Sequence, residues 1–446
     1  MILKERDHQI LRIALPAIIT NVTVPLLGLV DTAIVGHMGD AAYIGAIAVG
    51  AMIFNLVYWV FGFLRMGTSG MTAQAWGRKD FAEMQQMLTH SLTLSTLTAL
   101  VLLVLQWPLC QLMLTIIGPS ADVRPLAATY FYIVVWGAPA SLGLFSLTGW
   151  YIGMQNTLIP MFISITQNVV NILVSLVLVF GFHMKVEGVA LGTIIAQYTG
   201  FLMGLVLLAK YYKKHISFKF TKLRISDLTP FIRVNRDIFL RTLCLVAVNL
   251  FFTSAGARQS TTILAVNTLL IQLYLLFSYI MDGFAYAGEA LGGRFWGAGD
   301  MPAFHSTVRR LFGWGAIMTV IFTLVYVMGG MPFLRLLTDE PDVVEASHDY
   351  VWWAYLIPIC GVAAFIWDGI FIGTTQTRGM LLSAALAAIV FFALALGLIS
   401  EMGNHGLWLA MVLYLFMRGG VQTVWFARMK TPDSHYHEHC CEGCQS

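Results

Sequence analysis

The chain has 446 residues, 58% of them hydrophobic and 11% charged, with a formal net charge of +3. Soluble domains carry about a quarter of their residues as charges, so an ordinary soluble domain is excluded. Apolar runs of ~20 residues or more, the length that crosses a bilayer core, recur twelve times: 10–34, 43–69, 88–108, 128–152, 160–182, 187–209, 238–257, 262–288, 306–329, 350–374, 379–399 and 405–427. The expected class is an all-α polytopic membrane protein.

The first run is longer than a signal-peptide core and is followed directly by a second, which predicts an uncleaved helix. It carries Asp31 six residues after Pro25. A carboxylate inside a membrane costs roughly 2.5–3.5 kcal/mol on insertion scales, so it faces a cavity, pairs, or holds a proton. Proline removes a helix hydrogen bond and permits a kink, so Pro25 is a candidate hinge beside the acid. Asp31 as a simple helix cap near the outer surface is the plainer alternative. Arg65, near the inner end of the second span, reads as a snorkelling side chain. Span 5 holds Asn168, Asn171 and Ser175 on one helical face, and Thr193 of span 6 could join them. Such a face could complete a cation or proton site with Asp31, or simply bond helix to helix. The polar stretch 210–237 divides the chain into 1–209 and 238–430, six spans each. Span 8 carries Asp282 and Glu289, and span 10 carries Asp368. Beyond 431 the sequence is polar and aperiodic, consistent with disorder. Its His435, His437, His439, Cys440, Cys441 and Cys444 are metal-ligand types without the paired spacing of a folded zinc site, so no metal is expected. Cys110, Cys244 and Cys360 lie far apart and read as small hydrophobes.

Of the 26 Lys and Arg, 21 fall on segments that lie inside if both termini are cytoplasmic, nine of them between Lys210 and Arg241. The positive-inside rule predicts that orientation. The basic stretch then serves topology and anionic lipid, not nucleic acid. Arg258, on the outer side after span 7, is a possible partner for an acid.

The halves echo each other at a constant offset of 220 residues. Trp76-Gly77-x-x-Asp80 recurs as Trp296-Gly297-x-x-Asp300, and Gly149-x-x-Ile152-Gly153 as Gly369-x-x-Ile372-Gly373; Gly36 with Gly256, Asp122-Val123 with Asp342-Val343 and Tyr130 with Tyr350 keep the interval. Six spans per half give both halves one orientation, which predicts two six-helix bundles related by a pseudo-twofold axis along the membrane normal. The shared motifs read as turns and packing. The acids are not shared: Asp31 falls on Phe251, Asp282 on Gly62 and Asp368 on Thr148. Neither a Walker A motif nor HExxH in a span is present, which leaves an ATP-driven pump or a membrane metalloprotease without support.

Residues 14–16 (Ala-Leu-Pro), the stretch from Pro25 through Asp31 to His37, Phe63 to Gln74, Asp282 to Ala290 and Asp368 to Gly373 resemble multidrug and toxic compound extrusion (MATE) transporters, most of all their DinF branch. The resemblance covers nearly all of 5–430. It implies a twelve-helix, two-bundle antiporter, not an enzyme, that expels small amphipathic, often cationic compounds in exchange for protons or sodium. It needs no cofactor and works in a bacterial inner membrane. The cation-coupling acid falls on Asp31, companion polar residues on Asn171 and Thr193, and cavity acids on Asp282, Asp368 and Glu289. The second acid often found one turn after the asparagine is here Ser175, which tilts the expectation toward protons. A monomer is expected. A flippase for a lipid-like or lipid-linked substrate is the alternative; it would need a cationic cavity, and few basic residues are expected within the spans.

Overall fold

The computed structural model describes residues 5–36, 41–213, 225–338 and 340–429; within them, the side chains of 24–27, 29, 31–33, 35–36, 41 and 225–228 are outside the description. The side chains of Pro25 and Asp31, the centre of the basic linker and the His/Cys tail therefore lie outside the described residues. Sixteen α-helices follow in order among those described: α1 (Glu5–Gly36), α2 (Ala41–Phe61), α3 (Phe63–Arg78), α4 (Phe81–Val104), α5 (Gln106–Ile117), α6 (Val123–Val134), α7 (Ala138–Gly153), α8 (Leu158–Leu176), α9 (Val186–Tyr212), α10 (Ile225–Gln259), α11 (Thr261–Ala287), α12 (Gly293–Gly297), α13 (Met301–Leu337), α14 (Pro341–Gly373), α15 (Thr377–Met402) and α16 (Asn404–Ala427). Single π-turns sit at Val177–Gly181 and Gly288–Gly292. Eleven stretches of the described chain are long and apolar enough to cross a membrane. The first predicted span lies on α1. In lipid every backbone polar group must be satisfied within the segment, which is why these runs become helices.

The motifs shared by the two halves turn out to be matching pieces of backbone. A Cβ on Gly149 would stand 2.3 Å from the Arg65 carbonyl oxygen, and one on Gly369 would stand 2.2 Å from that of Ala285. Gly153 closes on the Ser69 carbonyl oxygen at 2.8 Å, and Gly373 on that of Glu289 at 2.6 Å. Each pair of contacts differs by the 220-residue offset, so each copy crosses its second and fourth spans at the same two glycines. Small residues let helix backbones approach this closely. Gly77 and Gly297 make a reciprocal contact: Gly77 meets the Arg294 carbonyl and Gly297 that of Gln74, again offset equivalents. Asp300 caps α13, accepting from the Ala303 N–H at 3.0 Å, as its place in the motif predicts.

Left-handed backbone repeats at the same interval. Lys79 and Gly299 have φ of 60° and 70°, Gln155 and Thr375 of 64° and 54°, and His183 and Gly403 of 55° and 56°.

The copies differ in continuity. The second span of the first copy breaks at Gly62, between α2 and α3, where the other copy has Asp282 in unbroken α11. The third span breaks between α4 and α5, and the fourth between α6 and α7, against continuous α13 and α14.

The described residues form two compact units. One, called here the C-terminal unit, comprises 1–10, 73–80 and 244–446; the N-terminal unit comprises 11–72 and 81–243. These units differ from the contiguous division at 209 and 238 that the sequence predicts, and no loop boundary falls at 237/238, because α10 runs through it. The cause is side-chain packing at helix ends. In the N-terminal unit the start of α10 is held where Asn235 fills the space beside Gly67, Phe239 meets Phe63 edge-on at 5.8 Å and Phe231 meets His90 at 6.0 Å. In the C-terminal unit Asp7, at the start of α1, accepts from Arg310 at 3.2 Å and from the Trp314 indole at 3.2 Å.

In the C-terminal unit α11, α13 and α16 pack around α14, and α15 lies along α16. Helix α14 is the most enclosed span and α13 the least. In the N-terminal unit α4 lies along α7, α2 along α6 and α8 along α9. Its core gathers Phe54, Tyr130, Phe131, Leu142 and Val189.

Near one end of the C-terminal unit a polar clasp joins α11 to α16. The amides of Asn267 and Asn404 bond reciprocally at 2.8 Å and 2.9 Å, and Trp408 donates to Asn267 Oδ1 at 2.8 Å. All three are buried. Asn267→Ala strands the Asn404 amide and the indole N–H, and a buried group without its partner costs ~1–3 kcal/mol. A clear fall in thermal unfolding temperature in detergent is expected; an unchanged transition would contradict the clasp.

Candidate functional site

The polar residues that the sequence singles out fall into two groups inside spans, one in each unit. In the N-terminal unit the face predicted on span 5 assembles on α8. Asn171 donates from Nδ2 to the Thr193 hydroxyl on α9 at 3.2 Å, and Thr193 donates onward to the Val189 carbonyl at 3.1 Å. Asn168 donates to the Thr23 carbonyl of α1 at 3.3 Å, which brings this face against the helix carrying Pro25 and Asp31. Asn171 and Ser175 are buried, and among the described residues Asn171 Oδ1 and Ser175 Oγ have no hydrogen-bond partner. Native interiors leave few such atoms, and each calls for an explanation. Ser175 lies against Gly192, where a Cβ would stand 2.2 Å from Oγ. The close approach of α9 leaves little room beyond a serine, so the carboxylate often found one turn after the asparagine would crowd this packing.

In the C-terminal unit the sequence expectation named three acids. Asp368 on α14 is buried and fully engaged: Arg418 Nη2 donates to Oδ2 at 2.6 Å, and Gln422 Nε2 to Oδ1 at 2.7 Å. Arg418 and Gln422 are one turn apart on α16, and Tyr414, one turn before, lies under the guanidinium at 5.6 Å. The neighbouring Trp367 donates to Thr423 at 2.8 Å. Charge-assisted bonds of this length are the strong kind. Tyr274 of α11 lies in the electrostatic field of Arg418, Tyr414, Asp282 and Asp368. Asp282 is half-buried two turns further along α11 and also acts on Tyr279. Glu289 is buried on the Gly288–Gly292 π-turn. π-turns inside helices recur at functional sites.

Two sequence expectations change. Arg418, counted with the inner-facing charges, is a buried member of this site. Arg241 is buried too, so basic groups within the folded spans are more frequent than hydropathy indicated. Arg65 is half-buried and Arg258 exposed. The signal that could have found the site was Tyr414-x-x-x-Arg418-x-x-x-Gln422, a polar stripe at helical spacing in an apolar run. Offset equivalents of Asp368, Arg418 and Gln422 are Thr148, Tyr198 and Leu202. The ion pair therefore belongs to one copy alone. Among the described residues no cluster of His, Cys, Asp and Glu is arranged to hold a metal.

The family model MatE matches residues 16–177 and 238–396, one stretch for each copy of the repeat. The chain belongs to the MatE family. This MatE chain is 37% identical over 426 residues to DNA damage-inducible protein F of Escherichia coli K12, across 95% of this chain and 93% of that protein. It is 22% identical to the probable multidrug resistance protein NorM of Thermotoga maritima, across 95% and 92%. Among solved structures, a MATE crystal structure in the bent conformation superposes with a TM-score of 0.86 at 16% identity, covering 95% of each chain. The bent form of the Vibrio cholerae MATE transporter VcmN gives 0.82 at 18% identity, over 94% of this chain and 96% of that one. The MatE chain is thus a multi-pass membrane transporter of the all-α polytopic class that the sequence predicts.

Proposed function

We propose that this protein is a secondary active exporter of small amphipathic cations, driven by inward proton flow through its N-terminal unit. Its substrates would be drugs or toxic compounds. The supporting observation is the pair of buried, unpartnered oxygens, Asn171 Oδ1 and Ser175 Oγ, on a helix bonded through Asn168 to α1. A protonated carboxyl or a hydrated proton donates to such oxygens, whereas a carboxylate does not. In this reading Asp31 gains and loses the coupling proton, the acceptor-only Asn171 amide oxygen favours its protonated form with Ser175 and Thr193 beside it, and Pro25 lets α1 bend between the two states. A proton can shift the conformational balance only by its differential affinity for them. Asp282 supplies negative charge for a cationic substrate beside Tyr274, while Asp368 organises that wall through Arg418. Glu289 joins the cavity in one of the two states. The protein works as a monomer in a bacterial inner membrane with both termini in the cytoplasm, and no cofactor is required.

The alternative of a lipid-linked anionic substrate calls for free cationic groups in the cavity. Arg418 does not supply one, because its guanidinium is engaged by Asp368.

The test uses proteoliposomes loaded with a fluorescent organic cation. An imposed pH gradient is expected to drive efflux and a sodium gradient alone is not. Asp31→Asn is expected to abolish substrate-driven proton exchange while the protein keeps its helical content. Retained exchange in that variant would remove Asp31 from the role, and sodium-driven efflux would overturn proton coupling.

A further inference from the structure

Helix α13 changes character along its length. Its first turns present His305, Ser306 and Arg309 at the surface, with Arg310 half-buried beside them. From Ala316 to Met328 the exposed residues are apolar, among them Ile317, Val320, Ile321, Leu324 and Met328. A groove of about 500 Å3 follows this face and runs from Pro302 past Arg309, Arg310 and Gly313 to Ile317. Its polar end is built, not loose. Asp7 is buried beneath it and fixes Arg310 at 3.2 Å and the Trp314 indole at 3.2 Å. Trp314 stacks in turn on Phe284 at 6.1 Å. Arg309 makes no ion pair among the described residues. At Gly313 an added Cβ would meet nothing within 4 Å, so the groove continues open along the helix.

We propose that this groove binds one anionic phospholipid, its phosphate on Arg309, Arg310 and His305 and one acyl chain laid past Gly313 onto Ile317. Three observations converge on that occupant. A tryptophan whose indole N–H is engaged at the polar end marks the depth at which headgroups sit. Two guanidiniums against one buried carboxylate leave the polar end net positive, which suits a phosphate diester. The rise of 1.5 Å per residue puts Ile317 roughly 10 Å beyond Arg310, the scale of half an acyl chain. A soluble phosphate would use the first part and leave the apolar part empty. The inference is independent of the coupling ion and of the exported compound.

Purified full-length protein in neutral detergent would be titrated with phosphatidylglycerol, phosphatidylcholine or inorganic phosphate, and bound lipid counted by native mass spectrometry alongside thermal unfolding. One phosphatidylglycerol is expected to bind in preference to phosphatidylcholine and to raise the unfolding temperature, with no effect of inorganic phosphate. Arg309→Gln should weaken binding about five-fold, the contribution of one basic side chain near anionic headgroups. Gly313→Phe should remove it by filling the groove. Both positions are solvent- or lipid-facing, so folding is preserved and checked by circular dichroism. Arg335→Gln, at another site on the same helix, should bind as the parent does. Unchanged phosphatidylglycerol affinity in either groove variant, or equal stabilisation by inorganic phosphate, overturns the proposal.

Discussion

Replacing Arg418 with methionine is expected to lower the unfolding free energy by ~3–5 kcal/mol, the usual result of removing one partner from a buried ion pair. The side chains of Arg418 and Asp368 are 5% and 11% exposed, so water cannot replace the lost guanidinium. Gln422 would remain as a donor to the carboxylate. The pair's attraction itself is a small net gain, because both charges were desolvated to make it. Most of the loss is the penalty on the stranded acid. Asp368→Asn combined with Arg418→Met should therefore recover much of the stability that Arg418→Met alone loses. Thermal unfolding followed by tryptophan fluorescence in detergent measures both, and additive losses would refute this account.

Gly369→Val should be at least as damaging, by about 3 kcal/mol or more, and should sharply reduce the yield of folded protein. The added Cβ would stand 2.2 Å from the Ala285 carbonyl oxygen and 2.7 Å from the Ala285 Cα. Those are backbone atoms of α11, which no rotamer change can move aside, so relief requires α11 and α14 to separate. The offset equivalent Gly149→Val should fail in the same way, against the Arg65 carbonyl. Gly397→Ala is the contrast: its Cβ meets nothing within 4 Å, and alanine should match or stabilise the parent by up to ~1 kcal/mol through helix propensity. Size-exclusion profiles and unfolding temperatures of the three variants give the comparison. Equal behaviour at positions 369 and 397 would show that the crossing does not need its glycine.

The spans were legible in the sequence because a bilayer selects on average apolarity over ~20 residues, and that average survives any detail of packing. The glycine motifs were legible for a similar reason. A close backbone crossing tolerates few side chains, so Gly149 and Gly369 carry their structural meaning in their identity. The polar face of α8 was visible from spacing, since Asn168, Asn171 and Ser175 lie a turn apart whatever they touch. Arg418 was not. One charged residue hardly changes the mean of an apolar window, and its partner Asp368 is fifty residues away on another helix. The same holds for the compact units. Hydropathy locates the polar break between α9 and α10, but the packing of Asn235 on Gly67 and of Asp7 on Arg310 decides which unit each helix end joins. The breaks at Gly62 and between α6 and α7 were also hidden, because an apolar stretch scores alike whether its helix is continuous or bent.

The left-handed positions at the six paired sites carry lysine opposite glycine, glutamine opposite threonine, and histidine opposite glycine. What the two copies share at these corners is thus a positive φ, with the side chains left to drift around it. Left-handed backbone disfavours most side chains by roughly 1–2 kcal/mol, so a lysine and a histidine persist there because the flanking helices dictate the turn. The chain's direction at these corners is imposed from outside the corner. At positions 79, 155 and 183 themselves the letters of the two halves differ, while the sign of φ marks each as the same corner made twice.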